Sequence, residues 1–437
     1  MRDFETFQAA LGLKEPWFVA GSRFDAAAQR LDIDIAFDQQ ARFACPSCGA
    51  ADCPLYDARP LTWRHLNFWQ HQTYLKARVP RVGCDTCGVK QVSVAWARLA
   101  KGSIRLCRME WQDEGRAGSG FTLLFEAHVM HRIPAMPVAA AARMVGEHDT
   151  RLWRIIHPDV DAARARADHG GISRVACDET AARRGHDYVS LFVNLDHAQV
   201  LFVADGKDAA TVSAFADDLS GHGGDPAQVG EVCIDMSPAF IKGTAAHLPQ
   251  AEITFDKFHT VKIINDAVRR EEQTSRPELK RTRYAWLKNE SSLSTGQRET
   301  INSLSHCNLK TARAYQIRLT FQAFYQQPSR QDAETFLKKW YFWARLAQGF
   351  ARRSLVEWPD EGTHSRLQPM IDAARTIKRH WDGILRWHDT HIANGILEGI
   401  NSLVQPAKAK ARGYRSSHNL KAMIYLIAGQ LDLLPST

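Results

Sequence analysis

Residues 172–219 read ISRVACDETAARRGHDYVSLFVNLDHAQVLFVADGKDAATVSAFADDL, and the fold turns on this stretch. The run Ile172–Cys177 is apolar and β-branched and ends on Asp178. Two further short runs follow, Tyr188–Asn194 and Gln199–Val203, and a helix is predicted from about Ala209. A buried-type strand, Glu231-Val-Cys-Ile, again ends on an acid, Asp235, and the next residues, Met-Ser-Pro-Ala-Phe, start a helix with Pro in its first turn. A last strand, Glu252–Phe255, leads into Asp256-Lys-Phe-His259. Three hairpin-like strands, a helix, a strand, a helix and a strand form the succession of an RNase H-like fold. In that layout the first and fourth strands end side by side. Asp178 and Asp235 there can share two divalent cations, and carboxylate oxygens suit hard Mg²⁺ or Mn²⁺. Taken singly, either Asp is more often a cap or turn former. The pair in this strand order carries the reading.

A third carboxylate lies far downstream in HIANGILEGINSLVQPAKAKARGYRSS, residues 391–417. On a helix from about Ala393, Glu398 shares a face with Asn394 and Asn401. From Ser402 to Lys421 the chain carries Lys408, Lys410, Arg412, Arg415 and Lys421 and no acid, a segment able to offset phosphate charge beside a carboxylate site. The plainer alternative is a solvated helix followed by a basic loop.

Upstream, Cys45-Pro-Ser-Cys48-Gly and Cys84-Asp-Thr-Cys87-Gly are two C-x-x-C-G knuckles. The two-residue spacer lets both thiolates of a knuckle reach one ion, so four sulfurs fit tetrahedral zinc. The alternation in TYLKARVPRVGC predicts a β-hairpin between the knuckles, and Cys53 is a spare thiol that competes as a ligand. Between ribbon and core, residues 134–157 read PAMPVAAAARMVGEHDTRLWRIIH. They predict a short helix Val138–Val145, a stop at Gly146, and a second helix Arg151–His157 capped by Asp149 or Thr150. This is a helix-turn-helix layout with Arg151 and Arg154 on its recognition face, although any αα-hairpin looks similar.

The chain has 437 residues, 45% hydrophobic and 24% charged, which fits several soluble domains and argues against wholesale disorder. No apolar run is long enough to span a membrane, and the first residues, MRDFETFQAALGL, do not form a signal peptide, so a cytoplasmic protein is expected. The net charge of +8 permits an anionic partner without requiring one. Nine cysteines, an odd number with four in two close pairs, favour metal binding over disulfides.

The CPSCG…CDTCG ribbon, the helix-turn-helix, VACDE, CIDMSPAF, FDKFH and the terminal NGILEGINSLVQPAKAKARGYRS together resemble the bacterial insertion-sequence transposases of the ISL-three family, a group of DDE transposases. The resemblance covers nearly the whole chain, and the terminal block is its most specific part. It implies a catalytic triad of Asp178, Asp235 and Glu398 holding Mg²⁺ or Mn²⁺, an accessory Asp256…His259 pair, structural Zn²⁺ on Cys45, Cys48, Cys84 and Cys87, and double-stranded DNA as partner. Because two DNA ends must be held together, a homodimer or larger synaptic complex is implied. The expected organisation is multidomain α/β plus α: a helical preface (1–40), a zinc ribbon (41–110), a helix-turn-helix (120–166), an RNase H-like core (172–264), a helical insertion (265–388), and the triad helix with its basic tail (389–437). The implied activity is metal-dependent cleavage at terminal inverted repeats followed by strand transfer. Two other readings stay open: a nuclease of the same fold without strand transfer, and a transposase-derived DNA-binding regulator with an idle site.

Overall fold

A computed structural model describes residues 3–98, 118–183, 187–273, 279, 282–305, 310–345, 367–392 and 395–433. The chain divides into two units, Met1–Ala167 with Val404–Thr437, and Asp168–Leu403. Asn394, Lys280, Arg281, Trp358 and the end of the expected ribbon segment, 99–110, lie outside the described residues.

The first unit opens with helix α1 (Asp3–Ala10) and strands β1 (Trp17–Asp25), β2 (Arg30–Phe37), β3 (Leu55–Phe68), β4 (His71–Cys84) and β5 (Gly88–Gln91). The sheet order is β1-β2-β4-β3, with β5 on the end of β4. The expected helical preface is therefore wrong beyond Ala10. In β2 the apolar residues Leu31, Ile33 and Ile35 recur with period two, and all three are buried. The Ala-rich run before them is a turn, in which Asp25 accepts from the backbone N–H groups of Ala27 and Ala28 at 3.0 Å. A row of indoles fixes the core of this sheet, Trp17 against Trp96 at 5.0 Å and Trp96 against Trp63 at 5.7 Å, both edge to face.

Helices α2 (Leu123–Arg132), α3 (Val138–Val145) and α4 (Asp149–Arg164) follow. Helix α3 matches the expected span. Helix α4 runs well past His157, continuing through Pro158, and its N-cap is His148, which accepts from Thr150 N, in place of Asp149 or Thr150. Gly146 ends α3 with φ +70°, and its N–H bonds back to Ala142 and Arg143. A Cβ there would meet Gln72 Nε2 at 2.9 Å as well as the strain of a left-handed backbone, so this turn needs glycine. Below the turn lies fully buried Arg64 from β3, 3.5 Å from Glu147 and 3.3 Å from the carbonyl of Val145.

The second unit contains a five-stranded sheet of β6 (Arg174–Ala181), β7 (Tyr188–Asn194), β8 (Gln199–Asp205), β9 (Glu231–Ile234) and β10 (Glu252–Phe255), in the order β10-β9-β6-β7-β8. The β6–β7–β8 part is antiparallel, whereas β6, β9 and β10 run parallel. The crossovers are α5 (Ala209–Gly221), which leads to β9, and α6 (Pro238–His247), which leads to β10. After β10 come α7 (Lys257–Gln273), α8 (Arg283–Leu287), α9 (Thr295–Ser305), α10 (Lys310–Gln322), α11 (Arg330–Arg345), α12 (Gln368–Arg379), α13 (Trp381–Leu385) and α14 (Trp387–Thr390).

These helices and the sheet share one hydrophobic core, in which Phe192, Phe215 and Phe255 belong with Trp286, Phe321 and Trp340. The expected boundary at 264/265 falls inside α7, and the one at 388/389 falls inside α14. The predicted apolar face Met370, Ala374, Ile377, Trp381 and Ile384 is buried throughout, on α12 and α13. Helix α15 (Gly395–Lys410) carries the chain from one unit into the other, and α16 (Ser417–Ala428) belongs to the first.

Candidate functional site

The parallel part of the second sheet sets the site. Strands β6 and β9 pair with Ala176 opposite Cys233, so Asp178 inside β6 and Asp235 just past β9, each two residues further on, stand level. Strand β10 pairs with β9 in the register Phe255 opposite Ile234, and Asp256 N bonds to Ile234 O at 3.0 Å. Asp256 therefore joins the same row. Asp235 and Asp256 directly follow β9 and β10, whereas Asp178 lies inside β6, three residues before its end at Ala181; neighbouring strands are about 4.8 Å apart.

Local hydrogen bonds hold each carboxylate. Asp178 Oδ1 accepts from Glu179 N at 2.8 Å, and Asp235 Oδ1 accepts from Ser237 N at 2.8 Å. Each thus keeps an oxygen for a cation. Buried Asp256 accepts from both the backbone N–H and Nδ1 of His259, at 3.2 and 3.0 Å. Burial pushes the Asp178 carboxyl up to about 6, with repulsion from Asp235 adding to it and the N–H of Glu179 and nearby His259 opposing it. His259 is raised, first by its bond to Asp256 and further by the charges of Asp178 and Asp235. A half-buried pair of level carboxylates beside buried Asp256 is a site that fits a hard divalent cation.

Glu398 comes from a helix and not from the sheet. It is exposed near the start of α15. Among the described residues, neither Asp178, Asp235 and Asp256 nor Asp178, Asp235 and Glu398 form a group with every ligand oxygen within 4.8 Å. On the same helix, Oδ1 of Asn401 is buried without a hydrogen-bond partner. Asp256 is the site residue that sequence reasoning underweighted; its signal was a third strand-like run followed by Asp, as in Ile172–Cys177 and Glu231–Ile234.

The four knuckle cysteines converge. Cys45, Cys48, Cys84 and Cys87 place their sulfurs within 4.8 Å of one another, and Cys48 Sγ lies 3.6 Å from Cys84 Sγ. Tetrahedral zinc with bonds of about 2.3 Å needs sulfurs roughly 3.8 Å apart, so this set fits the ion. Cys45 is held down to about 6 by the backbone N–H groups of Cys48 and Ser47, which favours the thiolate that a metal requires. Cys53 is excluded from the group. It is buried, its Sγ points to Ala50 O at 3.4 Å, and burial raises its thiol.

The expected DNA-contacting cations separate into two kinds. Arg151 bonds to Glu147 at 2.5 Å and lies 4.5 Å over the ring of Phe121, so its charge is engaged within the helix pair. Arg154 is exposed on α4. The basic segment folds against this same helix. Arg415 is 4.0 Å from Asp149, Tyr414 meets Trp153 edge to face at 6.4 Å, and His157 bonds Asn419 at 2.9 Å and stacks on His418 at 3.8 Å. Lys410, Arg412 and Arg415 are exposed and Lys408 half-buried. The expected company of this segment was the carboxylates; its observed company includes α4. No described helix is long and apolar enough to cross a membrane.

Comparison with known proteins matches three family models in chain order. Residues 41–87 match a zinc-finger of transposases IS204/IS1001/IS1096/IS1165, residues 115–160 a helix-turn-helix domain of transposase family ISL3, and residues 175–424 the DDE transposase domain of that family. Among curated relatives, the transposase for insertion sequence element IS1001 of Bordetella parapertussis is 27% identical over 85% of each chain. The transposase for insertion sequence element IS1557 of Mycobacterium tuberculosis (strain H37Rv) is 23% identical over all of this chain and 98% of its own.

Proposed function

The chain belongs to transposase family ISL3, and from that premise we propose that it is the DDE transposase of an insertion sequence, cutting at the element's terminal inverted repeats and joining the freed ends to target DNA. The observation that carries the chemistry is the register that sets Asp178 and Asp235 level on adjacent parallel strands. The mixed sheet, with its order β10-β9-β6-β7-β8, is read as an RNase H-like core, and the helices between β10 and α15 as an insertion that shares its hydrophobic core.

Asp178 and Asp235 hold the catalytic ions, and Glu398 completes the set. The chemistry that Mg²⁺ or Mn²⁺ would supply when held by these carboxylates is activation of the attacking oxygen and neutralisation of charge on the leaving one. Asp256 fixes the His259 ring through Nδ1 and favours its protonated form, which leaves the Nε2–H to bind a phosphate oxygen. The row needs no Ser or Tyr nucleophile.

Zinc on Cys45, Cys48, Cys84 and Cys87 stabilises the ribbon. Arg154 with Lys408, Lys410, Arg412 and Arg415 supplies cations for the DNA backbone, and α4 is the recognition helix. Two chains or more hold the paired ends.

The test is cleavage of a labelled duplex bearing the element's end, with Mg²⁺ or Mn²⁺, by wild type and Asp235→Ala. Metal-dependent cutting at the end, lost in the variant, is expected. Cutting without joining in a strand-transfer assay would replace this reading with a nuclease. Specific binding without cutting by either protein would replace it with a regulator.

A further inference from the structure

A second group of metal-ligating side chains lies outside both sites described above. A ring nitrogen of His169, a ring nitrogen of His222 and a carboxylate oxygen of Asp218 all lie within 4.8 Å of one another. We infer that His169, Asp218 and His222 form a second zinc-class site, distinct from the ribbon and from the carboxylate row, that staples the lead-in of β6 to the end of α5.

The chain builds this cluster in a definite way. Asp218 and His222 are four residues apart across the C-terminal end of α5, so their side chains share one helical face. His169 comes from the loop before β6. Its backbone N–H donates to His222 O at 2.8 Å, which locks the two segments together at the ligands themselves. Glycines surround both histidines, in Asp168-His169-Gly170-Gly171 and Gly221-His222-Gly223-Gly224. Gly223 has φ +81°, and a Cβ on Gly224 would sit 2.8 Å from the carbonyl of His169 and 2.5 Å from Leu219 Cδ1. Only a chain without side chains at these turns brings the two imidazoles this close, with ring centroids 4.9 Å apart.

The donor chemistry suits a borderline divalent ion. His222 donates from Nδ1 to the carbonyl of Asp218 at 2.7 Å and the same nitrogen lies 3.4 Å from Asp218 Oδ2, so it is Nε2, with the free lone pair, that an ion would engage. Such a backbone acceptor on the second ring nitrogen is the usual support of a metal-bound imidazole. His169 is buried, and the side chains of Asp218 and His222 are only 15% and 16% exposed. Three atoms no more than 4.8 Å apart all lie within about 2.8 Å of a common centre. Shifts of under about 1 Å each bring them to the 2.0–2.1 Å that Zn–N and Zn–O bonds require. Two imidazoles with one carboxylate favour zinc over Mg²⁺ or Ca²⁺, which prefer oxygen ligands throughout. The fourth position is left to water. The cluster belongs to the opposite end of β6 from Asp178, and no reaction step is assigned to it.

The experiment counts metal in the full chain carrying Asp235→Ala, which removes the carboxylate row from the zinc count. Protein from zinc-supplemented culture is dialysed against a chelator of micromolar affinity, and bound zinc is measured by mass spectrometry and X-ray absorption. About two zinc ions per chain are expected, with a sulfur shell and a separate nitrogen/oxygen shell. His222→Ala or Asp218→Asn should each bring the count to about one and remove the nitrogen/oxygen shell, with the sulfur shell intact. A single zinc with sulfur ligands alone in the parent protein overturns the inference. So does a second zinc that survives both substitutions. If either variant fails to fold, the stoichiometry and the two shells of the parent protein decide the matter without it.

Discussion

The thiolate group and the aspartate row are both built to gather negative charge, but they are assembled on different length scales. Each pair of sulfurs comes from four consecutive residues, and one long hairpin, β3–β4, brings the two knuckles together. The aspartates come from three strands spread over residues 174–256 and meet only because parallel pairing fixes their heights. A local motif tolerates change elsewhere in the chain. A register-built site depends on every residue of the strands that carry it, since a slip of one residue turns each side chain to the other face.

Substitution at the two sites should therefore fail in different ways. The largest effect is expected from Cys84→Ser. Structural zinc in small domains contributes about 10–16 kcal/mol of apparent binding energy, so its loss should unfold the ribbon. Calorimetry should show the transition of the first unit disappearing while that of the second remains; simultaneous loss of both would mean the units do not fold independently. Asp235→Ala should do the reverse. It is expected to lower end cleavage by about 10³-fold or more, as loss of a group that stabilises transition-state charge does. Because it also removes one of two neighbouring half-buried charges that repel each other, circular dichroism should show a melting temperature unchanged or slightly higher. A large fall in that temperature would make Asp235 a structural residue.

Acid should also separate the units. Burial, reinforced by neighbouring Arg64, pushes His65 down to about 4, and its Nδ1 lies 2.8 Å from Thr122 Oγ1. The folded state therefore binds fewer protons than the unfolded chain between pH 6.5 and 4. Stability from this residue is full above pH 6.5 and is lost as pH falls toward 4. His65→Gln should flatten that part of the pH–stability curve of the first unit, measured by urea denaturation, and an unchanged slope would assign the acid sensitivity to the thiolates. The smallest effect is expected at the DNA face. Arg154→Ala should weaken binding by about 1 kcal/mol and reduce the salt slope by about one, whereas Arg151→Ala should act mainly on stability, since its charge is held by Glu147. Equal losses of DNA affinity from both substitutions would contradict that division.

The same difference in scale explains what was legible in the sequence. The knuckles, the helix Val138–Val145 and the run of strands from Ile172 are short-range patterns, and they appear where their residues predicted. The first forty residues were expected to be a helical preface, while the period-two signal of Leu31, Ile33 and Ile35 that makes β2 is short and interrupted by the buried charge of Asp32. That charge is offset by Arg30 and Lys76, each at 2.8 Å, with Arg23 at 3.6 Å, and Lys76 comes from a strand more than forty residues away. Asp178 and Asp235 were legible because each ends an apolar run. Their level placement, and the entry of Asp256 into the row, are properties of pairing between distant strands. The partners of Arg151 and of the basic segment are likewise tertiary, and no spacing rule announces them.

The packing of α16 on α4 has a consequence in time. His157 and Asn419, hydrogen-bonded in the finished protein, are 262 residues apart in the chain. At ribosomal rates of roughly 5–20 residues per second, about 10–50 s pass between the emergence of one partner and that of the other. For that interval the nascent α4 lacks the partners of Trp153 and His157 from residues 414–419, while the whole second unit is synthesised and can fold between them. The first unit to begin is thus the last to be completed, and a chaperone that shields α4 would find its substrate on the ribosome.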